Sequence, residues 1–217
     1  TKRSAEPAPL LGWPTWLLPK RECAPDQVGP FHVYLSHNVA QGQDQMRIVK
    51  ARLREMLPNI SVFLDVDALG NTCFKDFEHI DMSNTVLVFL TEGFLRSGPC
   101  AKELVRAVLL EKPIIAVLES DPHRGGLTQA KVVETITAVK EDGTTWLTEA
   151  KYRAGATWYI KDVVQVWATE WQRELEVPTP DAVVEALFGS GLPPIVWYAL
   201  ADLQDVSMRL IADRLLP

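Results

Sequence analysis

Apolar residues fall into two rhythms along this chain: short unbroken runs, and recurrences at helical spacing. The runs TVLVFL (85–90) and PIIAVL (113–118) are uninterrupted, which predicts strands covered on both faces. FHVYLS (31–36) and ISVFL (60–64) read as two earlier strands. Between these two, Met46, Val49, Leu53, Met56 and Leu57 share one helical face, and Pro58-Asn59 ends that helix. Cys100 to Glu111 reads as a helix between the two continuous runs, and Gly98-Pro99 suits its first turn. Ile195-Val196 forms a last short strand, followed by a helix whose inward face includes Leu203, Val206 and Leu210. Strands alternating with helices at this spacing imply a five-stranded parallel sheet flanked by helices.

Two stretches break the rhythm. Residues 1–30 carry Pro7, Pro9, Pro14, Pro19, Pro25 and Pro30, which predicts irregular or extended chain, because proline lacks an amide donor and fixes φ. Yet Leu10, Leu11, Trp13, Trp16, Leu17 and Leu18 are too apolar for a solvated linker. The stretch therefore reads as an arm packed against the body, or as a lead-in from an upstream region. Residues 31–217 form the main domain, interrupted by a mostly helical insertion at about 120–190. In it, Val163, Val164, Trp167, Trp171 and Leu175 share a helical face, and Trp146 and Trp158 add to its apolar content. Core packing is the expected role of these aromatics. The insertion is either a stabilising annex or a private interface.

Composition narrows the function. The chain is 47% apolar and 23% charged, ordinary for a globular domain, and its net charge of −6 argues against nucleic acid or an anionic membrane as partner. No apolar run approaches the ~20 residues of a membrane span. Beginning at Thr1 rather than Met, the chain is expected to be a fragment or a processed form. Cys23, Cys73 and Cys100 are too few and too scattered for a disulfide framework or zinc site. His32, His37, His79 and His123 lack metal-ligand spacing, so no metal is expected, and the setting reads as reduced and cytoplasmic. A Rossmann site is excluded because Asn38-Val-Ala-Gln-Gly42 holds one glycine where GxGxxG is needed, and no GxSxG or Walker lysine occurs. A response-regulator receiver would need acids after the first and third strands, where this chain has Ser36-His37 and Thr91-Glu92.

Four segments carry a resemblance. FHVYLSH (31–37) is similar to an aromatic-led first strand ending in Ser-His. VFLDVDAL (62–69) resembles a second strand running into a long loop. FLRSGPCAKEL (94–104) holds Cys-x-x-Glu-Leu at the start of a helix, and PIVW (194–197) precedes the last helix. In this order they resemble the TIR (Toll/interleukin-1 receptor) family over 31–118 and 193–215. The resemblance implies a flavodoxin-like TIR fold, with residues 1–30 and 120–190 outside it. Two positions depart from the family pattern: the glycine near the tip of the BB loop is displaced to Gly70, and Pro99 stands where many catalytic members carry tryptophan.

The resemblance also implies chemistry. In TIR enzymes a glutamate on helix αC is essential for cleaving NAD⁺ to nicotinamide and ADP-ribose or its cyclic form, and Glu103 aligns with it. Ser36, His37, Asn38, Asp65 and Cys100 would line the substrate cleft, beyond the carboxyl ends of the strands. NAD⁺ would be the substrate, with no permanently bound cofactor. Homotypic TIR–TIR self-association is the implied partnership, with Asp67, Leu69, Gly70 and Phe74 at the BB-loop interface, serving signal transduction of the innate-immunity type. The alternative is a non-catalytic assembly module, in which Glu103 is an acid favoured near a helix start by the dipole, His37 a packing residue, and Asp65 and Asp67 loop acids that cap turns.

Overall fold

The computed structural model describes residues 30–64, 77–148 and 159–216. The N-terminal arm, Trp158 and the loop residues Asp65, Asp67, Leu69, Gly70 and Phe74 lie outside the described residues, apart from Pro30 at the end of the arm.

Strand β1 (Phe31–Ser36) leads into α1 (Val39–Met56), then β2 (Val62–Phe63), α2 (Glu78–Asp81) and β3 (Ser83–Leu90). Next come α3 (Glu92–Leu95), α4 (Gly98–Leu109) and β4 (Ile114–Glu119). Helices α5 (Gln129–Thr137), α6 (Ile160–Trp171) and α7 (Pro180–Phe188) follow, before β5 (Ile195–Trp197) and α8 (Ala201–Leu215). All strand pairings are parallel, in the order β2-β1-β3-β4-β5. That is the order of flavodoxin-like doubly wound sheets.

Alternate residues of each strand feed two cores. Val86, Val88, Leu90, Ala116 and Leu118 meet α4 and α5–α7 on one face. Leu87, Phe89, Ile115, Val117, Ile195 and Trp197 meet α1 and α8 on the other. Val86 to Leu90 are all fully buried, as an uninterrupted apolar run requires when both faces are covered. Helix starts follow the sequence chemistry: the Asn38, Thr91, Ser97, Thr128 and Thr179 side chains each accept from a first-turn amide, with proline in the first turn of α4 and α7.

The helices between β4 and β5 belong to the domain's own core. Val132, Ile136, Trp146, Leu147, Ile160, Val164, Trp167, Val183 and Leu187 are buried in one cluster with Ala101, Leu104 and Val105 of α4. The Trp146 indole donates to the Leu95 carbonyl at 2.6 Å. Arg106 of α4, 1% exposed, forms the tightest link. Its guanidinium donates twice to Asp81, at 2.6 and 2.5 Å, and lies 5.0 and 4.8 Å from the ring centroids of Trp167 and Trp171. A planar cation against two indoles, forked onto a carboxylate, is a geometry that lysine cannot reproduce.

Several expected positions differ. The second strand is shorter than 60–64, ending at Phe63. Met56 lies at the end of α1 and is 37% exposed. Leu175 lies beyond α6, which stops at Trp171 with Gln172 in the left-handed region (φ 51°), though it still packs against the core. The largest change is in α8, whose buried face is Ser207, Met208, Ile211 and Ala212, with Leu203, Val206 and Leu210 outside. On the inward face Met208, Ile211 and Ala212 pack in one core with the fully buried Trp197. The Ser207 hydroxyl is satisfied by donating to the Val196 carbonyl at 2.6 Å.

Candidate functional site

The carboxyl ends of β1 and β3 and the start of α4 meet at one edge of the sheet. Ser36 is the last residue of β1 and 1% exposed, and its hydroxyl donates to Glu103 Oε2 at 2.5 Å. Glu103 lies in the second turn of α4 and is half-buried. One turn earlier, the Cys100 thiol, 3% exposed, donates to the His37 carbonyl at 3.3 Å. His37, 7% exposed, donates from Nδ1 to the Leu35 carbonyl at 3.2 Å, since a carbonyl only accepts. Asn38 caps α1 by accepting from the Ala40 amide at 3.1 Å. Ser36, His37, Asn38, Cys100 and Glu103 are thus assembled around the first turn after β1.

Their environments separate their chemistry. Burial, and then the negative charge of Glu103, push the Cys100 thiol well above its ordinary 9.0. A neutral, occupied thiol is a packing and positioning group here, not a nucleophile. Asn38 is likewise engaged in helix capping. The Ser36–Glu103 pair differs from both: a half-buried carboxylate whose orientation is fixed by a charge-assisted hydrogen bond.

Sequence reasoning missed the loops that frame this edge. Gln41 of α1 accepts from the Gly93 amide at 2.6 Å, and the Glu92 amide donates to the Gly125 carbonyl at 2.8 Å. A Cβ at Gly125 would fall 2.6 Å from the Gln41 amide group, a side-chain end that can shift, so it is the φ of +78° that favours glycine there. The Gln41 side chain thus ties α1 to α3, and a backbone bond ties α3 to the turn at Gly125. Glu119, fully buried at the end of β4, was also missed. It accepts from the Asp121 amide at 3.0 Å and from Gln45 of α1 at 3.4 Å. The sequence signal was its position, an acid directly terminating the 113–118 run. Glu119 faces α1 whereas Glu103 faces Ser36 from α4, so the two acids lie on opposite faces of the sheet. They cannot act as the paired carboxylates of ordinary glycosidases.

Among the described residues, no group of three or more His, Cys, Asp or Glu is placed to hold a metal ion. No helix among them is long and apolar enough to cross a membrane. Fold and edge define a parallel α/β protein in which Ser36 and Glu103 meet at the carboxyl ends of the strands. No family model matches the chain, and no curated protein matches it.

Proposed function

We propose that this chain is a TIR-family domain that cleaves the bond between nicotinamide and ribose in NAD⁺, with Glu103 as the catalytic carboxylate. The observation that carries the reading is the 2.5 Å hydrogen bond from Ser36 to Glu103 at the carboxyl edge of the sheet. Substrates of open parallel sheets bind at such edges. The four sequence segments and the strand order support the same assignment.

The reaction suits one carboxylate. The C–N bond breaks with its electron pair passing to the pyridinium ring, which leaves as neutral nicotinamide, so no general acid is needed. Positive charge develops on the ribose, where a fixed anion lowers its energy by electrostatic preorganisation. Water then adds to the ribose carbon and releases a proton, giving ADP-ribose; attack by an adenine nitrogen gives the cyclic product instead. Ser36 orients the carboxylate, while Cys100 and His37 hold the turn that carries Ser36 against α4.

The test is nicotinamide release from NAD⁺ by the concentrated full chain, beside Glu103→Ala. Turnover abolished by the substitution supports the hydrolase. A second reading draws on the same contact: the Ser36–Glu103 bond also ties β1 to α4, as a non-catalytic assembly module would use it. Silence in both proteins would favour that reading, whereas equal turnover would remove Glu103 from the chemistry.

A further inference from the structure

Trp146 belongs to the segment between β4 and β5, outside the stretches that supply the site, yet its side chain ends on the element that leads into α4. The indole nitrogen donates to the Leu95 carbonyl at 2.6 Å, and the residue is 8% exposed. We infer that Trp146 is a positioning residue for Glu103: its N–H fixes the junction of α3 and α4, and through that junction the carboxylate against Ser36. This role rests on the proposed chemistry of Glu103 and extends it to the insertion.

Helix α3 has four residues, a single turn too short to be held by its own backbone bonds. Side chains hold it from two directions instead. Gln41 of α1 accepts from the Gly93 amide at 2.6 Å near its start, and Trp146 donates to the Leu95 carbonyl at its end. That carbonyl belongs to the last residue of α3, where a helix offers its carbonyls no internal donor. Leu95 is buried, so losing the indole N–H would leave an acceptor without water to replace it.

Leu95 is close to the site along the chain. Two residues later, Ser97 caps α4 by accepting from the Cys100 amide at 3.5 Å, while the Cys100 thiol donates to the His37 carbonyl at 3.3 Å. The start of α4 is thus anchored from the insertion through Leu95 and from β1 through His37. Glu103 lies one turn further along the same helix and accepts from Ser36 at 2.5 Å. A helix shifted at its start carries its side chains with it, and a displacement of about 1 Å can lower a rate about a hundredfold. Trp146 is itself presented by a tight local frame. Val139 and Thr145 form an antiparallel bridge, and the Thr145 amide donates to Thr148 Oγ1 at 2.7 Å. Packing alone would use the ring but not its N–H.

The experiment replaces Trp146 of the full chain by benzothienylalanine, which keeps the bicyclic shape and carries sulfur in place of the N–H. Trp146→Phe is its genetically encoded counterpart. Nicotinamide release from NAD⁺ is measured beside the carboxyl ¹³C signal of Glu103, identified by its loss in Glu103→Gln. The expected result is a fall in kcat of about tenfold or more with KM within about twofold of wild type. The carboxyl signal should also move toward its position in Ser36→Ala. An unchanged kcat, a change confined to KM, or a fall in kcat with the carboxyl signal unmoved would overturn the proposal, whatever the urea midpoint does. If the wild type releases no nicotinamide, the proposed reaction fails separately. The carboxyl signal then decides the positioning role alone: movement upholds it, and no movement ends it.

Discussion

The Ser36 hydroxyl and the Cys100 thiol lie within one turn of Glu103, yet they answer to different perturbations. Removing the hydroxyl in Ser36→Ala leaves the carboxylate in place but no longer fixed. A hydrogen bond to a charged group contributes about 1.5–3 kcal/mol, so nicotinamide release should fall roughly ten- to a hundredfold. A loss as complete as that of Glu103→Ala would give Ser36 a larger role than orientation. Cys100 makes its own prediction through pH. Its folded-state pKa is raised, so above its ordinary 9.0 the folded protein binds the thiol proton more tightly than the unfolded chain does. Stability from this group is therefore complete below that pH and declines as pH rises above it. Burial lowers the Lys112 pKa, which works in the opposite direction on the same alkaline side. The comparison is thus wild type against Cys100→Ala in urea melts between neutral and alkaline pH. The gap between the two proteins should change in favour of Cys100→Ala as pH rises; a constant gap would show that the thiol is not held protonated.

At the scale of elements, Arg106 is the position on which α2, α4 and α6 converge. Arg106→Ala would leave the Asp81 carboxylate without its forked partner and the two indoles without the cation that lies against both. Breaking a buried ion pair from one side costs about 3–5 kcal/mol, so a large drop in the urea midpoint is expected. Arg106→Lys should recover only part of it, because an ammonium cannot present the planar fork. Nothing in the sequence marks this arginine, since its partners are distant along the chain and its spacing is that of an ordinary helical charge. Strands β3 and β4 were legible for the converse reason: uninterrupted apolar runs have one stable solution in a sheet with both faces covered. Helix α8 was legible as a helix but not in orientation. It carries two candidate apolar faces, and the one with Met208 and Ile211 is turned to the core that holds Trp197. The site was half legible. Glu103, Ser36, His37, Asn38 and Cys100 came from local motifs and are brought together, whereas Gln41 acts through a contact with no local signature and Glu119 is marked only by its place at the end of an apolar run.

For the whole molecule, the proposed activity carries a dependence on concentration. If the loop after β2 completes the site from a neighbouring copy, as the family resemblance implies, dilution should lower specific activity. Initial rates across a wide dilution series check this directly, and a flat profile would show that each copy is catalytically self-sufficient. The insertion's shared core has another effect, because removing α5–α7 would uncover α4 and the neighbouring sheet face together. Point substitutions, not deletions, are therefore the way to probe that region.

One pairing in the sheet has a consequence for how the chain reaches its native state. Val117 of β4 is aligned with Ile195 of β5, so the sheet is closed by a strand that arrives ~80 residues later. At equilibrium that separation is mild, since each doubling of a loop adds only about 0.6 kcal/mol to closure. For folding speed it matters more, because distant pairings must wait for the intervening segment to become compact. During synthesis, β1, β3 and β4 emerge well before β5 and α8. Until those arrive, the β4 edge and the apolar face destined for Trp197 and α8 stand open, so nascent chains halted in the insertion would be the form most prone to aggregate.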